Sequence, residues 1–516
     1  MKQLKYIFIL LTGGLSIISC KKSFLELAPE GQMNEGNFYK STTDFQQAVT
    51  GAYVPLRDIA NFAFFVDEMR SDNAHYDYNS KDRGGLGYEQ LADFMDNSQN
   101  GVIGNRYQAD YNGISRTNVI LDRLEKITFS MADADKKQII GEAKALRAHY
   151  YFDLVRHFGA VPLHLHEVTD KNGAYLPRSG VDDVYKQIIN DFTDALANVA
   201  APKLPSETGR ITKGMVATEL GLVYMTLKQF DKAVPLLQSV TTMGYDLWSN
   251  YADAFKNENK NGKESVFEVQ YKDGNDGQSS GFIYRFIPNG NTLNILGLNY
   301  INQNGGWNTP TSDLLQSYEA ADKRLDATIG VVEGTYDSNV DFVPARVVSS
   351  VNYTTPPNVI SKYFVRKYLH PPYTTIPDKN FYYTKENWPI FRYANVLLLY
   401  AEALNETGQS SLALGPLNKV RFRAGLGDIT TTDQTQLRNI IAHERRIELA
   451  FENSRWLDLV RTNQAIPVMT AYGIKTKAMF GYILPAAYNV TTEKLIYPIP
   501  FREMQLNAQL VQNPGY

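Results

Sequence analysis

The apolar positions of this chain recur mostly with the period of an α-helix. From Ser41 to Ile59, Phe45, Val49 and Tyr53 return every fourth residue behind Asp44, which predicts an amphipathic helix with an acidic first turn. Two further helical stretches, "NRYQADYNGISRTNVILDRLEKI" and "DKKQIIGEAKALRAHYYFDLVRHFG", follow from Asn105. In the second, Ile139, Ala143, Leu146, Tyr150, Leu154 and Phe158 form one apolar stripe at steps of three and four. The rhythm returns in "VDDVYKQIINDFTDALANVA" with "ITKGMVATELGLVYMTLKQFDKAVPLL", where Ala217 and Gly221 permit close helix approach. It returns again in "FRYANVLLLYAEALNETG" with "LALGPLNKVRFRAGLG". Leu220 to Val234 carries the small, aromatic and turn residues of a tetratricopeptide unit. The fold class predicted is therefore all-α, a tetratricopeptide-like helical repeat scaffold.

Two regions, about 61–104 and 261–387, lose this period. They hold "HYDYNSKDRGGLGYEQ", "KDGNDGQSSGFIYRF" and "NYINQNGGWNTP", rich in Gly, Asn, Asp and aromatics, with short strand-like runs "SVFEVQY" and "KYFVRKY". Long irregular insertions on a helical scaffold usually carry function, and these two are predicted to pack together on one side of the repeats.

Composition narrows the picture. The 516 residues hold 52 Lys and Arg against 55 Asp and Glu, a formal charge of −3, which gives no basic footprint for nucleic acid. Aromatics make up 12% of the chain, with 33 tyrosines, so the insertions are well supplied with stacking groups. The single cysteine is Cys20. Lys2 and Lys5, the apolar run Tyr6 to Ile18 and "IIS" before Cys20 read as a lipoprotein signal peptide, residues 1–19, with Cys20 as the lipidation site. A tether, 20–36, then leads into one domain, 37–516. The apolar run is shorter than the ~20 residues that span a bilayer, so the body is predicted to be anchored to a membrane through lipid.

Candidate chemistry is mostly eliminated by spacing. "HERRI" opens like H-E-x-x-H, but position 447 is Ile, so the second zinc ligand is missing. Glu444, Glu448 and Glu452 share one face, yet Arg445 with Glu448, Arg455 with Asp458 and Asp458 with Arg461 read as i,i+3 ion pairs of a structural helix. His164 and His166 would share a strand face without further ligands. No phosphate-cradling loop occurs. Catalytic and metal residues are thus none and no cofactor is indicated; calcium on the Asp/Asn-rich loops is compatible with their composition without being indicated by it.

Four segments, "WPIFRYANVLLLYAEALNETGQ", "HERRIELAFENSRWLDLVR", "YPIPFREMQLNAQLVQNPGY" and "TPTSDLLQSYEAADKRLDATI", together with the signal region and "FLELAP", resemble the SusD/RagB family. The departure at Asn453, where the family commonly has Gly, keeps a residue tolerant of a left-handed turn. The resemblance implies an outer-membrane lipoprotein on the extracellular face, which captures a glycan and passes it to a SusC-like TonB-dependent transporter without catalysis. A peptide ligand, a surface glycoside hydrolase and a non-binding scaffold are the alternatives. Sugar binding asks for aromatic faces beside amide, carboxylate and guanidinium groups. The candidates are Asp72, Asn73, His75, Tyr76, Tyr78, Arg83 and Tyr88 in the first insertion, and Tyr284, Tyr300, Asn302, Trp307 and Asn308 in the second. Trp248, Trp388 and Trp456 are expected in the core.

Overall fold

The structure is a computed structural model that describes residues 38–79, 85–200, 209–298, 305–339, 341–373, 380 and 383–516. The signal peptide, Cys20 and the tether lie outside these residues, as do Arg83, Tyr300 and Asn302.

The predicted first helix is two. Ser41 caps α1 (Thr42–Ala52) in a reciprocal capping box with Asp44. Pro55, at the first position of α2 (Pro55–Ala60), has no N–H to continue the ladder, so the chain restarts there. The scaffold follows as α3 (Gly101–Leu124), α4 (Asp133–Phe158), α5 (Val181–Asn198), α6 (Lys213–Thr226) and α7 (Phe230–Val240). It resumes with α8 (Tyr393–Glu406), α9 (Ser410–Ala424), α10 (Gln434–Glu448), α11 (Arg455–Arg461) and α12 (Ala465–Met479). From α3 to α9 each of these helices packs on its predecessor, and α10 packs back on α8. The stretch Ile211 to Leu237, read as one member of a pair, is itself the hairpin α6–α7, in which a Cβ at Gly221 would sit 3.0 Å from Leu237 Cγ.

One turn builds this scaffold three times. The residue after the helix end takes positive φ at Lys228, Gly408 and Asn463. The next N–H, from Gln229, Gln409 and Gln464, reaches back five residues to the carbonyls of Tyr224 (2.8 Å), Leu404 (2.8 Å) and Leu459 (2.7 Å). This is the Schellman arrangement, which satisfies carbonyls otherwise orphaned at a helix end. The following helix starts at once, so α6–α7, α8–α9 and α11–α12 are tight hairpins.

The second insertion leaves after α7 and re-enters at α8, yet α7 packs directly against α8. Strand β1 (Ser265–Val269) pairs antiparallel with the strand that precedes α8, Trp388–Arg392, and so zips entry to exit. Inside the insertion, Ile329–Tyr336 is the central strand of a three-stranded antiparallel sheet between Phe342–Ser349 and Ile360–Val365. Both strand-like runs read from the sequence are strands; the hairpin 329–349 was not anticipated. Trp388 and Trp456 are buried as expected, Trp388 in a strand, whereas Trp248 is half-buried.

The acidic face read near α10 is structural, with different partners from those expected. Glu444 takes Arg324 (2.5 Å) and Arg421 (3.0 Å). Glu448 takes Arg324 (3.0 Å), Arg392 (3.0 Å) and Arg423 (2.5 Å), and Glu452 takes Lys367 and Arg392, both at 2.7 Å. Arg445 pairs with Asp458 (2.9 Å) instead of Glu448, and Arg455 with Asp72 (2.8 Å) instead of Asp458; the Asp458–Arg461 pair is present at 2.7 Å. Burial explains the change, because a desolvated carboxylate must be paired and these partners come from other elements. The two histidines at 164 and 166 lie outside regular strand; their carbonyls accept from Asn118 Nδ2, and His166 pairs with Asp122 at 3.1 Å.

Candidate functional site

The two insertions meet, as their composition suggested. Strand Ala74–His75 pairs antiparallel with Thr309–Pro310, the Asp77 N–H donates to the Gly306 carbonyl at 2.7 Å, and the Gly306 N–H donates to the Ile287 carbonyl at 2.7 Å. The first insertion is held from the other side by the C-terminal half. Glu68 accepts Asn73 Nδ2 (2.9 Å) and the main-chain N–H groups of Phe451 (2.9 Å) and Asn453 (3.0 Å). Asn453 takes φ 61°, the left-handed conformation foreseen for it.

These contacts separate the candidates. Asp72 is buried, and its carboxylate takes both Arg455 (2.8 and 2.9 Å) and Arg446 (3.0 Å), which hold its pKa below the usual carboxylate value against the effect of burial. Asn73 is buried between Glu68 and Arg446, whose Nε donates to its side-chain oxygen at 2.9 Å. Both residues secure the insertion to the scaffold and present no free group. His75 is buried among Tyr76, Phe480 and Tyr482, where burial pulls its pKa down to about 3 and keeps the ring neutral. Asn308 is buried at φ 55°. Tyr284 is buried too, its hydroxyl accepting Arg285 Nε at 2.8 Å.

What remains is a run of rings. Tyr78, half-buried, stacks on Tyr482 with centroids 4.2 Å apart and planes 7° off parallel. Tyr76 is buried with its hydroxyl on Asp93 Oδ2 (2.9 Å); its ring lies 5.9 Å from Tyr482 and 6.1 Å from Trp307. Trp307 meets Tyr88 edge-on at 5.1 Å, and Tyr88 stacks on Phe65 at 4.0 Å and 11°. Tyr78, Tyr88, Trp307 and Tyr482 are half-buried, with part of each ring open. Their positions are fixed from below. The Trp307 N–H donates to the Arg285 carbonyl at 2.8 Å, and a Cβ at Gly85 would come 2.3 Å from the indole ring, so only a hydrogen fits there. Stacked and edge-on rings of this kind present apolar faces flanked by hydroxyls, the surface that receives the C–H face of a sugar ring.

Two participants escaped the sequence reading. Tyr482 comes from the segment after α12, outside both insertions, and Arg285 lies near the end of the Gly/Asn-rich stretch "KDGNDGQSSGFIYRF", beside the buried Tyr284 that was the candidate there. Cavities of about 390 and 550 Å³ lie elsewhere, the first between α4, α6 and the strand before α8, the second beside α10 and α11. Tyr78, Tyr88, Trp307 and Tyr482 line neither of these two cavities.

Residues 263–516 match the SusD family, and residues 23–224 match a family described as starch-binding associating with outer membrane. SusD-like protein P38 of Formosa agariphila is 28% identical over the full length of both chains. Starch-binding protein SusD of Bacteroides thetaiotaomicron is 24% identical over 78% of this chain and 76% of its own. Among solved structures, a laminarin-binding SusD-like protein superposes with a TM-score of 0.74 at 26% identity, covering 93% of this chain and all of its own. With a helical repeat scaffold, two insertions joined in one face and these matches along both halves, the chain belongs to the SusD/RagB family.

Proposed function

We propose that this protein is a cell-surface glycan-binding lipoprotein that captures oligosaccharide or polysaccharide on the ring face and delivers it to a SusC-like TonB-dependent transporter in the outer membrane. The observation that carries the reading is the run Tyr78–Tyr482 and Trp307–Tyr88, four partly open rings from three separate segments held on one face. Relatives described as binding starch and laminarin support it. Binding without turnover is supported by the acidic face at α10, whose carboxylates are spent on buried arginines and a lysine. The signal-peptide pattern supports lipidation at Cys20, and the family supports the transporter partnership.

The test is affinity electrophoresis of the mature chain against a panel of neutral and charged polysaccharides and peptides, with Trp307→Ala alongside. Retardation by one glycan class, reduced about tenfold or more in the variant, is the expected outcome. Binding to peptides alone would replace the glycan reading with a peptide receptor.

A further inference from the structure

Arg285 stands at the Trp307 end of the ring face, and among the described residues no carboxylate pairs with it. Its guanidinium carbon lies 4.4 Å from the centre of Phe62, 5.3 Å from Phe65, 5.3 Å from Tyr284 and 5.9 Å from Tyr88. Its Nε donates to the Tyr284 hydroxyl at 2.8 Å, and its carbonyl receives the Trp307 N–H. The two Nη groups bond none of the described residues and reach solvent.

The other arginines set the contrast. Arg70, Arg106, Arg147, Arg324, Arg392 and Arg461 all face carboxylates. Arg57, Arg116 and Arg178 make no ion pair, yet each bonds a main-chain carbonyl. Arg285 is held instead by ring faces, which fix the plane of a guanidinium without consuming its N–H donors. The acids of the neighbourhood are Asp77, Asp93 and the buried Glu89, and none of them forms an ion pair with Arg285. Asp77 is taken by Lys362 at 2.5 Å, and Asp93 receives the Tyr76 hydroxyl. A fixed, water-facing fork with two free donor groups matches a planar carboxylate or a sulfate ester better than a neutral hydroxyl.

We infer that Arg285 selects an anionic glycan, one whose sugar seated over Trp307 and Tyr88 carries a sulfate ester or a uronate carboxylate. This rests on the ring face being the glycan site. The experiment compares binding of the mature chain to a carrageenan (sulfated), polygalacturonate (carboxylated) and laminarin (neutral) at low and high salt, using the unmodified protein, Arg285→Gln and Trp307→Ala. One of the two charged polymers is expected to bind about tenfold or more tighter than laminarin, with the advantage lost in Arg285→Gln and reduced by salt. Which of the two binds identifies sulfate or carboxylate. Chemically desulfating or carboxyl-reducing that polymer should cost the unmodified protein the same advantage, a readout independent of how well the variant folds. Laminarin binding as tightly as the charged polymers, or Arg285→Gln binding unchanged, overturns the inference. If a neutral glycan is lost in Trp307→Ala but retained in Arg285→Gln, the glycan site stands and the charge selection falls; no binding to any glycan removes both.

Discussion

Gly85 and Trp307 show what a single residue controls at this face. With a Cβ built 2.3 Å from the indole ring, Gly85→Ala must displace Trp307, which is only half-buried. Overpacking of a closed core costs about 1–3 kcal/mol; here the ring yields, so the expected result is a small change in Tm with glycan binding weakened several-fold or more. Unfolding curves and binding isotherms of the same variant separate the two. Tyr78, Tyr88 and Trp307 stood out as aromatics in Gly- and Asn-rich stretches, but the same stretches bury Tyr76 and Tyr284, so composition did not separate open rings from core ones. Asp72 and Asn73 drew the same reading for their polarity, and their partners Arg446 and Arg455 lie more than 370 residues away in sequence, a distance at which no local pattern reports pairing.

At the scale of elements, two devices make predictions. The Schellman turns need positive φ, which costs an ordinary residue about 1–2 kcal/mol. A Cβ at Gly408 would meet nothing within 4 Å, so Gly408→Ala isolates the backbone term and should lower stability by about 1 kcal/mol in denaturant melts. Asn463→Gly, in the equivalent place, should leave stability unchanged or slightly higher.

The second device is Glu448, buried and bonded to three arginines. Those cations, above all Arg423 and Arg392, overcome burial and bring its pKa from 4.5 down to about 2. A depressed folded pKa stabilises above the ordinary value and loses that stabilisation as pH falls, so the contribution is complete above about pH 4.5 and disappears through about pH 2. The shift corresponds to on the order of 3 kcal/mol. Glu448→Gln should therefore be strongly destabilised near neutrality, by about 3–5 kcal/mol, with its Tm converging on that of the parent as pH approaches 2. Parallel stability curves at every pH would contradict this account. The sequence disclosed the acidic face here but paired it along the helix; the burial that draws in Arg324, Arg392 and Arg423 is a product of folding.

For the whole molecule, the repeat scaffold tolerates a long insertion between α7 and α8 because those helices pack as consecutive members and the strand pair at the base closes the excursion. The insertion can then vary its loops without disturbing the stack, which suits a receptor whose ligand is set by loop residues. Two outcomes are expected at this scale. Cys20→Ser should release the protein from membranes into the soluble fraction on cell fractionation, since a polar N-terminus without acyl chains has no stable hold on a bilayer. The protein, extracted from membranes in mild detergent, should co-purify with an outer-membrane barrel protein, and consistent recovery as a lone chain would count against delivery to a transporter.

Periodicity alone determined most of the scaffold helices, their order and the repeat character, because helix formation answers to spacing within a few turns and that information is local; the breaks at Pro55 and Lys228 and the last helix, α12, escaped it. Composition located both insertions, and the signal pattern at Cys20 and the family's segments followed from short contiguous motifs. Tertiary structure decided which polar residues are spent on ion pairs, brought Tyr482 beneath Tyr78, and left Arg285 with its donors open. Those outcomes depend on desolvation and on contacts between segments hundreds of residues apart, quantities that exist only once the chain has closed on itself.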